Sequence, residues 1–395
     1  MTNIFSPKRN FYISYVKGLA IFYMIIIHLV DWSDLHLGFT ANMMKEVLHT
    51  SLIFFVTLTG ANIIQAYGNY ENLGKPIRKL YKRILILLAI YFAYNIGKYY
   101  IFDFSTSSFY LQFIEKQTFN LSGILNFKSF TSPITVLIMD SAFLFLSPLL
   151  LYVNKNFKYK KSFILGLIII ILIINYGIIL PNYLPLNPTD PYFPINRNIV
   201  LDILYANGFV LFPMALWAVP YLVGSLLAML GFEKRRHEAI MIFSIITVVL
   251  GALKLSNNES LLLNPYIFPL MPYYVFVCFF AMFIFIQCFM WLEKIRSKKI
   301  NLLLSTFRLF GDKSLKIYIY HWLVIDISIR IFFPYIKSMW LVMILYLGFF
   351  IYSNRKTILE YNEYGYKINH YRSKDSKDTS MMIGLNNTET IPVKE

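Results

Sequence analysis

The chain has 395 residues, of which 57% are hydrophobic and 15% charged, against roughly a quarter charged in a soluble domain; its mean hydropathy is +0.55. That balance excludes an ordinary soluble domain and predicts an all-α, polytopic helical bundle in a membrane. The net charge of +16 would suit a nucleic-acid partner, but the cations sit in short alternating loops with no arginine-rich tract among surface aromatics, so they read as an orientation signal and nucleic acid is excluded.

Apolar runs of bilayer length predict about ten spans, at 12–31, 48–67, 83–102, 131–153, 162–181, 208–231, 238–255, 266–292, 314–334 and 339–354. The first opens with Lys17 and closes with His28, with no charge between them. Eleven helical steps return to nearly the same face and rise about 16 Å, so a cation and an imidazole share one stripe three turns apart. Ionisable groups in a span are costly and mark function by default. The run is too long for a cleavable signal, and no small-residue cleavage site follows it. In the second span, Phe54-Phe55-Val-Thr57-Leu-Thr59-Gly60-Ala61-Asn62 offers small residues and threonines, a face on which helices approach and bond across. His49 stands at the outer end of that span, at about the depth of His28.

Further along, Asp140 interrupts the fourth span and requires a partner or water. Pro213 and Pro220 fall in the sixth and predict a kink. The prolines of 181–194 exclude a regular element in the outer segment 182–207, which carries Arg197; this segment is a candidate substrate lip. Cys278 and Cys288 lie ten residues apart in one apolar run and cannot bond to each other. No histidine or cysteine pair has metal-ligand spacing, so no metal is expected. The ninth span begins at Ser314 and contains Tyr318, His321 and Trp322, then Asp326 and Arg330, four apart and able to pair.

Lysine and arginine mark every second loop. Lys8 and Arg9 precede the first span; Lys75 to Arg83 follow the second, Lys155 to Lys161 the fourth, Lys234 to Arg236 the sixth, and Lys294 to Lys313 the eighth. This predicts cytoplasmic N- and C-termini in a plasma membrane. Residues 1–355 form the integral-membrane domain, and 356–395 a polar cytoplasmic tail of disordered composition.

The chemistry-bearing residues of the first span suggest roles. Asp31, three residues past His28, shares its helix face and can fix the imidazole tautomer. His28 is then a candidate general base for an attacking hydroxyl or amine. Lys17, near the inner end, suits a phosphate or carboxylate contact, although lysines at helix ends also snorkel for purely structural reasons.

Four segments resemble the integral-membrane acyltransferases of the acyltransferase-3 group, with the heparan-glucosaminide N-acetyltransferase-like group also close. They are Lys17-Gly18 through His28; Phe54-Phe55 to Thr59-Gly60 with the basic loop after it; Trp217-Ala-Val-Pro220-Tyr-Leu-Val-Gly224; and Ser314-Leu-Lys-Ile-Tyr318-Ile-Tyr320-His321-Trp322. The family pattern has arginine where this chain has Lys17 and an acid where it has Ser14. Lysine keeps the charge and loses bidentate geometry. The resemblance implies transfer of an acyl group, usually acetyl from acetyl-CoA, to a hydroxyl or amine of a surface glycan or lipid-linked sugar. It implies His28 as base and Asp31 as its orienting partner. It implies Lys17, Tyr318 and His321 for the donor, and His49, Arg197 and Trp217 for the acceptor. Two other readings stand beside it: a transporter or flippase of a glycan precursor using Asp140, His321 and Asp326, and a non-catalytic sensor or scaffold.

Overall fold

A computed structural model describes residues 11–32, 38–101, 135–174, 214–231, 235–256, 272–295, 297–327 and 339–363. Among these every regular element is helical. The elements are α1 (Phe11–Trp32), α2 (Gly38–Tyr67), α3 (Gly74–Ile101), α4 (Thr135–Asn156), α5 (Lys160–Leu172), α6 (Met214–Leu230), α7 (Arg236–Ser256), α8 (Pro272–Lys294), α9 (Lys298–Asp312), α10 (Ser314–Ile327) and α11 (Met339–Ser353). A further helical stretch covers 355–363.

Local signals account for several boundaries. The Asn72 side chain accepts from the Gly74 amide at 2.8 Å and Pro76 sits in the first turn of α3, where a missing N–H costs nothing. Gly231, at φ +68°, ends α6 in the left-handed conformation that glycine adopts without strain. Proline does not end the spans: α4 runs through Pro148 and α6 through Pro220.

Among the described residues, five helical stretches are long and apolar enough to cross a bilayer: Thr50–Tyr67, Gly74–Gly97, Leu137–Asn156, Arg236–Ser256 and Tyr273–Lys294. Tyr12–Ile27, Trp217–Leu230 and Leu341–Ser353 are shorter apolar helices. The spans expected at 162–181, 208–231, 266–292 and 314–334 run partly beyond the described residues, and the described residues do not confirm ten spans. Large apolar side chains face outward all round the bundle, among them Leu85, Phe145, Leu149, Val248, Leu345 and Phe349. In water such a belt would aggregate; in lipid it is the expected surface.

α1 is the hub and packs against α2, α8, α9, α10 and α11. α2 also packs on α6, which rests on α4 and α5, while α3 pairs with α4 and α7 with α8. Two crossings are closer than side chains normally allow. A Cβ on Gly18 of α1 would collide with the Phe307 carbonyl of α9, and one on Gly311 of α9 with the Ser14 carbonyl of α1. The second crossing repeats this, with Gly60 of α2 against the Tyr221 carbonyl of α6 and Gly224 of α6 against that of Thr57. Both crossings are antiparallel, each helix giving one glycine. The small-residue face expected in the second span is therefore a packing face. Its threonines, however, do not bond across it: Thr57 and Thr59 donate back to the Ile53 and Phe55 carbonyls at 2.7 and 2.9 Å. Hydroxyls facing an apolar interior satisfy themselves on their own helix.

The basic run 294–313, expected as an inner loop, is instead largely helix α9. It is amphipathic, and Asn301, Leu304, Ser305, Arg308 and Gly311 are buried on one side of it. The polar segment expected from residue 356 begins inside the bundle, since Ile358 and Tyr361 are buried.

The two crossings predict a contrast among glycines. Gly224→Ala should destabilise the protein by ~1–3 kcal/mol or more, because its methyl group meets backbone that has to move. Gly97→Ala and Gly166→Ala, with open space at the Cβ position, should leave thermal stability in detergent unchanged or slightly raised.

Candidate active site

Lys17 is half-buried on α1, with its ammonium over the Phe55 ring of α2 at 5.4 Å from the centroid. A cation held on an aromatic face keeps part of its electrostatic stabilisation away from bulk water. The faces of α1 and α2 that meet α8 are aromatic. Tyr15 packs on Phe289 at 5.6 Å, Tyr23 on Phe285 at 6.1 Å, and Phe54 on the same Phe285 at 6.0 Å. α8 thus fills the groove between α1 and α2.

One turn before Lys17 lies a polar network that sequence reasoning missed. The Ser14 hydroxyl donates to Asp312 Oδ1 at 2.8 Å, and the Tyr361 hydroxyl donates to Asp312 Oδ2 at 3.0 Å. Arg308 Nε lies 3.9 Å from the same carboxylate, and its guanidinium stacks on the Tyr361 ring at 4.2 Å. Ser14, Arg308 and Tyr361 are all buried. Charge counting alone groups Arg308 with the loop cations. Its spacing from Asp312, and the helical recurrence of 301, 304, 305 and 308, are the signals that place it on a buried helix face.

α10 begins immediately after this network and packs on α1. Tyr318, His321 and Trp322 are buried on it. The His321 ring lies 5.4 Å from Tyr318 and 5.3 Å from Trp322, and its Nδ1 is 3.2 Å from the Ile317 carbonyl. If Nδ1 carries the hydrogen of that bond, Nε2 holds the lone pair.

A second polar group lies between α3, α4 and α6. Asp140, for which the sequence names no partner, meets Arg83 of α3 at 3.4 Å, so the last cation of the basic run after α2 lies on a helix rather than in a loop. Nearby, Ser147 donates to the Phe143 carbonyl at 2.8 Å, which leaves Tyr221 as the donor in the 2.7 Å contact between their hydroxyls. The Tyr221 ring stacks on Phe143 at 4.9 Å.

The remaining expected site residues are distributed as follows. Trp217 is buried on α6, a helix packed on α2, α4 and α5. His28 and Asp31 fall on the last turns of α1, and His49 in α2; their side chains lie outside the described residues, as do Arg197 and the side chain of Asp326. Loops expected on one side of the membrane do meet. Asn154 at the end of α4 donates to the Gly68 carbonyl at 3.1 Å, and Lys155 bonds the Glu71 carbonyl, joining the turns after α2 and α4. Lys313 bonds Asn354, joining the α9–α10 junction to the end of α11.

A family model described as an acyltransferase domain matches residues 10–353. No curated protein and no solved structure matches the chain.

The Arg83–Asp140 contact is open to a double-mutant cycle. Asp140→Asn and Arg83→Gln should each destabilise, and the double variant should lose less than the sum by about 1 kcal/mol or more, the usual coupling of contacting charges. Strict additivity in thermal unfolding would mean that the two residues do not interact.

Proposed function

Because the chain belongs to the acyltransferase-3 family of membrane acyltransferases, we propose that it moves an acyl group, acetyl in the first instance, from a cytoplasmic acyl-coenzyme A to a hydroxyl or amine of a cell-surface or lipid-linked glycan. Supporting this is the layout of α1. Its Lys17 end adjoins the α9–α10 junction, which carries Lys313 and Lys316. The positive-inside rule puts that end, and both termini, in the cytoplasm of a plasma-membrane protein. His28 then lies about 16 Å further out, a distance that an extended pantetheine arm spans.

In this reading each residue has one task. Lys17, already poised on Phe55, meets a donor phosphate. Tyr318 and His321 line the path of the thioester. Asp31 orients the His28 imidazole, and His28 takes the proton from the acceptor as its oxygen or nitrogen attacks the thioester carbonyl. The carbon–sulfur bond breaks and the thiol departs with the proton that His28 carried. His49, Arg197 and Trp217 hold the acceptor.

His28→Ala should lower kcat by ~10²–10⁴-fold, the contribution of a positioned general base. Lys17→Met should mainly raise the KM for acetyl-CoA, because it removes binding rather than chemistry. Mass spectrometry of surface polysaccharide should show acyl groups lost when the gene is deleted and not restored by His28→Ala. A normally expressed His28→Ala protein that still acylates glycan would rule out the assignment.

A further inference from the structure

The network around Asp312 has no part in the chemistry above, yet it ties several chain segments together at the Lys17 end. One carboxylate accepts from Ser14 of α1 and from Tyr361 of the C-terminal helix, and it faces Arg308 one turn away on its own helix. Three separate chain segments converge on it. Burying an ion pair is costly and is weak evidence for stability alone. The glycine crossing makes the arrangement possible, since Gly311 brings the α9 backbone onto Ser14 and Gly18 brings α1 onto Phe307. In that antiparallel register Asp312 stands at the level of Ser14, and Arg308 at a level between Ser14 and Gly18. α9 therefore delivers a carboxylate to Ser14 of α1, with the Arg308 guanidinium behind it against Tyr361.

We infer that Asp312 is a positioning residue. Its carboxylate, supplied from α9 to Ser14, Arg308 and Tyr361, locks the inner end of α1 and so sets where Lys17 is presented to the anionic part of the donor. The role of Lys17 rests on the function proposed above; the lock on α1 does not. What matters is a carboxylate at this point, whichever helix carries it. Asp312→Ser removes it. Ser14→Asp with Asp312→Ser returns it from the opposite backbone, across a gap now bridged at 2.8 Å. Ser14→Asp alone sets two carboxylates against each other.

Two readouts test this. In a Cys278→Ala/Cys288→Ala background, maleimide labelling of Lys17→Cys in vesicles reports the exposure of that position without any donor. Asp312→Ser should change the rate by about fivefold or more as the helix end loosens, and the swap should bring it back. With Lys17 intact, Asp312→Ser should raise the KM for acetyl-CoA about tenfold, the size of a lost hydrogen bond to a charged group, with kcat little changed; again the swap should restore it. Labelling that ignores Asp312→Ser, or a swap that restores nothing, overturns the inference. So does a fall in kcat with an unchanged KM. If Asp312→Ser fails to accumulate, accumulation of the swap is the rescue, and its failure too counts against the inference. A wild-type protein that does not turn over acetyl-CoA defeats the proposed function instead, and the labelling result alone then decides this inference.

Discussion

The close approach of α1 and α9 is the constraint on which the rest depends. Gly18 and Gly311 each give up a side chain so that the backbones can touch. In a membrane this is how helices associate, since lipid tails offer no hydrophobic driving force between them and packing has to supply it. With α9 seated so closely, the Arg308–Asp312 pair reaches the start of α1 and the C-terminal helix closes over it through Tyr361. The crossing of α2 and α6 through Gly60 and Gly224 is built by the same rule. α2, shared by α1 and α6, ties the two crossings into one bundle.

Polar groups in this interior follow a consistent pattern. Isolated hydroxyls and amides bond back to their own helix, as Thr57, Ser141, Asn95 and Ser305 do. Charges find partners on other segments, Asp140 with Arg83 and Asp312 with Ser14 and Tyr361. The division follows from energy. A neutral hydroxyl is satisfied by one local carbonyl, whereas a carboxylate has several acceptor sites to fill and a far larger desolvation cost.

Much of the architecture was legible in the sequence because bilayer length and apolar composition are strong signals. The helices at 12–31 and 238–255 match α1 and α7 to within two residues at each end, whereas α3 begins at Gly74, well before the expected 83, because its basic first turns are helical too. The small-residue face of α2 was legible too, and so was the membership of the family, whose four segments are spread along the matched region. What escaped was α9. Six cations between 294 and 313 outweigh its apolar content, so counting charge made a loop of it, and only the helical recurrence of its buried residues distinguishes it. Arg83 was misplaced for the same reason: it closes a basic run and also faces Asp140. Pairing across 57 residues, as in Arg83–Asp140, or 298, as in Ser14–Asp312, is tertiary information that no local pattern carries. Lys17, Tyr318, His321 and Trp217 occupy described helices, while the catalytic assignment of His28 and Asp31 rests on sequence spacing and resemblance.

The central claim is that donor binding is organised at the inner end of α1. A cryo-EM structure of the full chain in lipid nanodiscs with coenzyme A tests it most directly. The account predicts the phosphates within reach of Lys17, beside the α1–α9 crossing, with the thiol directed along α1 toward His28. Coenzyme A bound away from α1, or with its phosphates at the His28 end, would contradict it.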